Sequence, residues 1–218
     1  SATAAGTRLL KPRDLRLHAT LKDGTRVLVR ALRPGDRAEL RRGFGRLSLA
    51  SRRFRFVTPI RRLSEPQLEQ LTAVDQVDHV AIGARDVGRR GRPGVAVARF
   101  VRLPAPREAG ADARTVAEFA VTVIDAYQGR GLGTLLMRLL LQAARSVGVE
   151  VLRGYVLEDN TAMLRILQRF AIETHRDSGN VLRIDVPVDR NLKAIAEEDQ
   201  SAAPGNGPAA SPGAEPPT

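Results

Sequence analysis

The chain has 218 residues, 43% of them hydrophobic, which suffices for one substantial core with tails and would be a squeeze for two domains. It contains no Cys, which removes disulfides, thiolate metal sites and a cysteine acyl-enzyme together, and its three His (His18, His79, His175) lie far apart in sequence, so no metal is expected. The net charge is +11, but only Lys11, Lys22 and Lys193 of the 35 basic residues are lysine, and six Phe, two Tyr and no Trp leave few stacking platforms, which argues against nucleic acid as a partner.

No apolar run reaches the roughly 18 residues of a membrane span, and the start, Ser1 to Gly6, lacks the charged-then-apolar order of a signal peptide. A cytoplasmic protein without membrane contact is the expectation. Residues 1–17 read as a flexible arm, although Leu15, Leu17 and Leu21 could begin to pack. After the turn Lys22-Asp23-Gly24, residues 25–33 alternate apolar and basic side chains and predict a strand. Pro34-Gly35-Asp36 opens a helix to about Leu47, a second short helix spans 48–56, and Ser64 caps a third. Residues 36–62 hold nine Arg against Asp36 and Glu39, which concentrates most of the net charge there.

The period then changes to two. Residues 80–85 and 95–103 are β-rich and flank a Gly- and Arg-rich turn, predicting an antiparallel hairpin, and 114–124 is a third strand rich in Val and Thr. A strongly apolar helix follows over 132–147, then a strand over 150–157, a helix over about 160–169, and two closing strands near Ile172 and over 181–186. Helices before and after a run of strands describe an α+β domain on one mixed sheet, expected over 18–190. From about 191, and most clearly from Glu197 to Thr218, Ala, Pro, Gly, Ser and acids predict a disordered tail.

The stretch Gln128-Gly129-Arg130-Gly131-Leu132-Gly133-Thr134 carries the most chemistry. A strand ends, glycines let backbone N–H groups converge, and a helix begins with its positive dipole end at the same point, so an anion belongs there. A P-loop is excluded because no Lys precedes a Ser or Thr after the last Gly; the dinucleotide fingerprint is excluded because its third Gly would fall on Thr134.

Gln128, Gly131 and Gly133 satisfy Gln/Arg-x-x-Gly-x-Gly/Ala, and with the strand before, the amphipathic helix after and Asn160 beyond the next strand, the chain resembles the GNAT superfamily over roughly residues 24–188. Asp23-Gly24-Thr25, Ser51-Arg52-x-x-Arg55-Phe56 and Ala117-Glu118-Phe119-Ala120 bring it nearer to the GNAT domain of bacterial Pat-type protein lysine acetyltransferases. The resemblance implies the GNAT fold, a mixed and mostly antiparallel sheet flanked by helices, with acetyl-CoA as cosubstrate. It places the cosubstrate against Val121, Val123, Gln128, Gly129, Arg130, Gly131, Leu132, Gly133, Thr134 and Asn160. For Asn160 a helix N-cap is the plain alternative, compatible with the first role.

Acyl transfer to a lysine must remove a proton from an amine of ordinary pKa near 10.4, which at neutral pH costs about 4.6 kcal/mol without a base. Glu118, on the strand leading into the loop and flanked by small and apolar residues, is the candidate base, and the resemblance implies the same role, direct or through water. A surface or salt-bridged Glu on an edge strand is the alternative. The backbone near Val123 is expected to meet the developing oxyanion, and the absence of Cys points to direct attack. The Tyr that serves many GNAT proteins as general acid is missing, since Leu167 and Gln168 occupy its place. Arg52 and Arg55 are candidates for the acceptor entrance, or else part of a solvated helical face.

The expected function is transfer of an acetyl group to a primary amine, and the resemblance implies a lysine of a protein such as an acyl-CoA synthetase-like enzyme. A small-molecule amine as acceptor and a non-catalytic acyl-CoA sensor are the alternatives.

Overall fold

A computed structural model describes residues 11–56, 62–105 and 113–202, with the side chains of 54–56 outside the described set. In chain order the elements are β1 (Arg16–Thr20), β2 (Arg26–Ala31), α1 (Arg37–Gly45), α2 (Leu49–Phe56), α3 (Glu65–Thr72), β3 (His79–Asp86), β4 (Gly94–Arg102), β5 (Val116–Val123), α4 (Leu132–Ser146), β6 (Val151–Leu157), α5 (Thr161–Leu167), β7 (Glu173–Arg176), β8 (Val181–Pro187) and α6 (Val188–Ala202). The strands form one sheet in the order β1-β2-β3-β4-β5-β6-β8-β7. Every pairing is antiparallel except β5 with β6. The mixed, mostly antiparallel α+β plan expected from the sequence is therefore the plan observed.

Strand alternation decides which layer each side chain meets. Ala96, Ala98 and Phe100 of β4 pair in register with Val123, Val121 and Phe119 of β5, and this side faces the apolar stripe of α4. Nine of the 15 residues of α4 are buried, among them Leu132, Leu136, Met137, Leu140 and Leu141. Each such Leu stabilises the layer by roughly 1.5 to 3 kcal/mol. The opposite side, carrying Val97, Arg99 and Thr122, lies under α1 and bounds a cavity of about 100 Å³ that Phe44, Leu47 and Ile124 also line. Two carboxylates, one buried and one half-buried, pin α1 over it. Asp36 accepts from Arg30 (2.6 and 2.9 Å), Arg85 (3.0 Å) and the Arg33 amide (2.8 Å), while Glu39 accepts from the Gly94 amide (2.8 Å), Arg42 and Arg46. Ser64 caps α3 as expected, in a reciprocal capping box with Gln67.

Two expectations at the ends of the domain need correction. The arm drawn over 1–17 already contains Leu15, 2% exposed, and the start of β1, because Leu15 and Leu21 bracket a strand that pairs along all five residues with β2. The tail drawn from 191 begins inside α6, which continues to Ala202 and lies on the α4 side of the sheet. Leu192 and Ile195 pack against the core, Arg138 of α4 meets Glu198 and Asp199, and Asn191 is 2% exposed. The Ala- and acid-rich composition of this segment suits a helix as soon as one face has something to cover. The rest of the tail lies outside the described residues.

Candidate active site

The parallel pair β5–β6 holds for only three residues: Val116, Ala117 and Glu118 face Val151, Leu152 and Arg153. Beyond them β5 continues along β4 while β6 continues along β8, so the two strands diverge from Phe119 and Gly154 onward. The Phe119 ring occupies the throat of this gap. It lies so close to Gly154 that a Cβ there would come 2.6 Å from a ring carbon. The mouth of the gap leads to the loop 128–134.

In the loop, Gly129 (φ +74°) and Gly131 (φ +89°) adopt the left-handed conformation that glycine accepts without strain. Gly131 is the N-cap of α4, and the first helical bond runs from the Leu135 amide to the Gly131 carbonyl. The amides of the first turn are thus spare donors at the positive end of a 15-residue helix, which is the donor set that an anionic pyrophosphate requires. The residues fit the expected cosubstrate.

Two of the expected loop side chains, and Asn160 beyond β6, act on the protein itself. Gln128 Nε2 donates to the Val123 carbonyl (3.0 Å) and reaches Ser51 Oγ (3.4 Å), fixing the end of β5 to the loop and to α2. Arg130 pairs with Asp23 (2.7 Å), donates to Thr25 Oγ1 (3.1 Å) and lies 4.8 Å above the Tyr127 ring, so it clamps the β1–β2 turn to the loop. Asn160 caps α5, its Oδ1 accepting from the Met163 amide (3.1 Å). Val123 packs toward α4 beside Gly133, and Val121 is partly buried in the same layer.

Asp125 was not singled out in the sequence, yet it organises this corner. It accepts from the Ser48 amide (3.0 Å), the Ser48 hydroxyl (2.7 Å) and the Ser51 hydroxyl (2.9 Å), anchoring α2 to the turn before the loop. Burial works against its charge, but these hydrogen bonds prevail and hold its carboxyl below the ordinary value of 3.8. An Asp two residues before a Tyr at the start of a glycine loop was the available signal. It is uninformative until the distant Ser48 and Ser51 are brought beside it.

Glu118 stands at the last paired position before the strands diverge, on the same side of β5 as Ala120 and Thr122 and hence on the side of the α1 cavity. β5 is interior to the sheet, so Glu118 is not on an edge strand. Its side chain is exposed rather than enclosed by apolar neighbours. Nor is it salt-bridged. Its cross-strand neighbour Arg153 donates through Nε (2.7 Å) and Nη2 (2.8 Å) to Asp185, 5% exposed, and no ion pair or hydrogen bond engages the Glu118 carboxylate among the described residues. The Arg153 hydrogen bonds hold the Asp185 carboxyl below 3.8.

Tyr127 is buried and donates to Asp86 (2.8 Å), whereas Tyr155, two residues into the gap on β6, shares the Glu118 side of the sheet by strand alternation. Glu173, His175 and Asp185 also gather on β7 and β8, with potential ligand atoms within 4.8 Å of one another, a grouping that sequence spacing did not suggest. Both Asp185 oxygens in it are taken by Arg153.

The Arg-rich segment is largely engaged within the fold. Arg37 and Arg41 pair with Glu65, Arg42 and Arg46 with Glu39, and Arg53 with Asp159 (3.0 Å). Arg52 lies over the Phe44 ring at 4.8 Å and donates to the Gly45 carbonyl (3.1 Å), so it braces α2 against α1. The Arg55 side chain and Arg61 lie outside the described residues. Among the described residues no helix is long and apolar enough to cross a membrane.

The family model described as the acetyltransferase (GNAT) family matches residues 58–172. The acetyltransferase Pat of Mycolicibacterium smegmatis is 37% identical over 169 residues, which cover 77% of this chain and 48% of that protein, so the chain spans about half the length of that relative. Acetyltransferase PA5475 of Pseudomonas aeruginosa is 36% identical over 146 residues, 66% of this chain and 73% of the relative. The crystal structure of the GNAT domain of S. lividans PAT superposes with a TM-score of 0.70 at 29% identity, covering 79% of this chain and 96% of that one. Diverging central strands, a left-handed glycine loop at a helix start and these relationships lead to one conclusion: the chain belongs to the acetyltransferase (GNAT) family.

Proposed function

We propose that the protein transfers an acetyl group from acetyl-CoA to the side-chain amine of a protein lysine, with Glu118 as the base. The observation that carries this reading is a carboxylate with no partner among the described residues, at the point where β5 and β6 part. A cross-strand Arg would normally quench such a carboxylate; here Asp185 holds that Arg away.

The thioester cosubstrate fits with its pyrophosphate on the spare amides of α4 and its pantetheine arm in the gap between β5 and β6. The acceptor approaches from the α1 side, which Glu118 and Thr122 share. The lysine ammonium gives a proton to Glu118, directly or through one water, and the amine attacks the thioester carbonyl. A backbone N–H of β5 near Val121 or Val123 receives the developing oxyanion; the C–S bond then breaks, CoA leaves as a thiolate with an ordinary thiol pKa near 8.5, and the second proton of the attacking nitrogen passes to that thiolate or to solvent, so no dedicated acid is needed. The 37% identity to a protein named acetyltransferase Pat supports the acetyl donor, and the likeness to the S. lividans PAT domain favours a protein acceptor over a small amine.

Thioester consumption by wild type and Glu118→Gln, with lysine-bearing proteins and small amines as acceptors, tests the assignment. Glu118→Gln is expected to lower kcat by roughly 10² to 10⁴ while leaving the acetyl-CoA dissociation constant unchanged. Equal kcat in the two proteins would remove Glu118 from the mechanism; acetyl-CoA binding without turnover on any acceptor would favour a sensor.

A further inference from the structure

The β1–β2 turn, which lies outside the matched family region, touches the phosphate loop. The Lys22 amide donates to the Arg130 carbonyl (3.3 Å), and the Lys22 stem lies along Gly131, with Cγ, Cδ and Cε 3.8, 3.9 and 3.6 Å from where a Cβ of that glycine would be. The neighbouring acid cannot neutralise this lysine, because Asp23 is committed to Arg130 (2.7 Å) and to Thr25 (2.9 and 3.1 Å). The Lys22 side chain is exposed, and its ammonium makes no ion pair or hydrogen bond among the described residues.

A lone cation is thereby held at the N-terminus of α4, where the helix dipole already presents positive charge. In the free protein this arrangement is electrostatically unfavourable. A dianionic group seated on the first-turn amides removes the conflict and turns it into attraction. Turn and loop are rigidly coupled by the Arg130 clamp and the Lys22 amide, so the stem is positioned before any ligand arrives.

We propose that Lys22 is a cosubstrate-binding residue, its ammonium completing the pyrophosphate site from outside the glycine loop. The proposal rests on the acyl-CoA reading above. Lys22 adds a point charge where the loop supplies only neutral amides, and it explains why Arg130, the loop's own cation, can be spent on Asp23.

The test is calorimetric titration of wild type, Lys22→Met and Lys22→Arg with acetyl-CoA, acetyl-3′-dephospho-CoA and acetyl-pantetheine, together with melting curves. Lys22→Met keeps the stem and removes the charge. It is expected to weaken acetyl-CoA and its 3′-dephospho form alike by about tenfold, to leave acetyl-pantetheine unaffected, and to be largely rescued by Lys22→Arg. The ligand-free Lys22→Met protein is expected to melt at the same temperature as wild type or slightly above it, since an uncompensated repulsion is gone. Unchanged acetyl-CoA affinity, or a loss confined to the 3′-phosphorylated form, would overturn the assignment, and a lowered ligand-free melting temperature would mark Lys22 as structural instead. If wild type itself fails to bind acetyl-CoA, the underlying acyl-CoA reading falls and takes this proposal with it, an outcome separate from the three above.

Discussion

Glycine plays two different parts in this site. At Gly131 the backbone sits at φ +89°, so a side chain there is strained wherever it points, at a cost of about 1 to 2 kcal/mol. At Gly133 the backbone is helical, and an added methyl would press on the Cδ1 end of Ile166, a flexible terminus that can rotate away. This difference explains a signature that demands Gly at the first position and admits Gly or Ala at the second. Gly154 lies outside the signature and is the more constrained of the two packing glycines. A methyl there would meet two ring carbons of Phe119 at 2.6 and 2.7 Å, and a ring held at 5% exposure has nowhere to turn. Gly154→Ala is therefore expected to lose about 1 to 3 kcal/mol in urea unfolding, and more than Gly133→Ala. Because Phe119 follows Glu118, the same variant should also lower acetyl-CoA turnover. The opposite ranking of the two alanine variants would show that the throat of the gap is softer than its geometry implies.

Among the elements, α6 departs furthest from what its composition suggested. Besides its apolar contacts and ion pairs, one amide ties it to the rest of the fold. Asn191 accepts from the Ala171 N–H (2.8 Å) and donates to the carbonyls of Ala171 (2.9 Å) and Pro187 (2.7 Å), joining the end of β8, the segment after α5 and the first turn of α6. Asn191→Ala strands three backbone groups in a place of 2% exposure, with an expected loss of about 2 kcal/mol in denaturant unfolding. A loss below a few tenths of a kcal/mol would mean that water replaces the amide and that apolar packing and ion pairs hold α6 without it. At the other end of the site, α2 depends on Asp125 in the same way, through Ser48 and Ser51, which gives the Ser-Arg-x-x-Arg-Phe segment a structural purpose independent of any acceptor.

Across the whole molecule a strongly basic chain is held by a few acids, and this sets its response to pH. Asp36, Glu39 and Asp185 all have folded-state carboxyls lowered from 3.8, 4.5 and 3.8: for Asp36 and Glu39 burial opposes the shift and is outweighed by hydrogen bonds from Arg30 and the Arg33 amide, or from the Gly94 amide and Arg42; for Asp185 the Arg153 hydrogen bonds dominate. A lowered carboxyl contributes stability that is complete above its unfolded-state value, near 4, and is lost as pH falls through the lower folded value. His79 behaves differently. Burial, followed by the nearby Arg99, lowers it from 6.5, so protonation favours the unfolded chain and a first, shallower loss begins as pH drops below about 6.5. The melting temperature should decline gently between pH 6.5 and 5 and steeply below pH 4, measured at 0.3 M salt to screen general charge repulsion. His79→Gln should remove the upper limb only; survival of that limb would assign it elsewhere.

The glycine loop, the helix after it and the order of strands were legible in the sequence because each depends on local physics. Glycines permit φ above zero, apolar residues at helical spacing mark α4, and two-residue alternation marks β2 to β5. Glu118 was legible as a candidate but not in its surroundings: the sequence set it among small and apolar residues, and the fold presents an exposed carboxylate without a partner among the described residues, because Asp185, two strands away, holds Arg153. The Arg-rich segment read as a charged patch because its partners Glu65, Asp159 and the Phe44 ring are distributed along the chain. Lys22 against Gly131 and Asn191 between three elements were invisible for the same reason. Conformational preference is encoded in short spans, whereas which charge is neutralised and which is left over depends on side chains that only packing brings within a few ångströms.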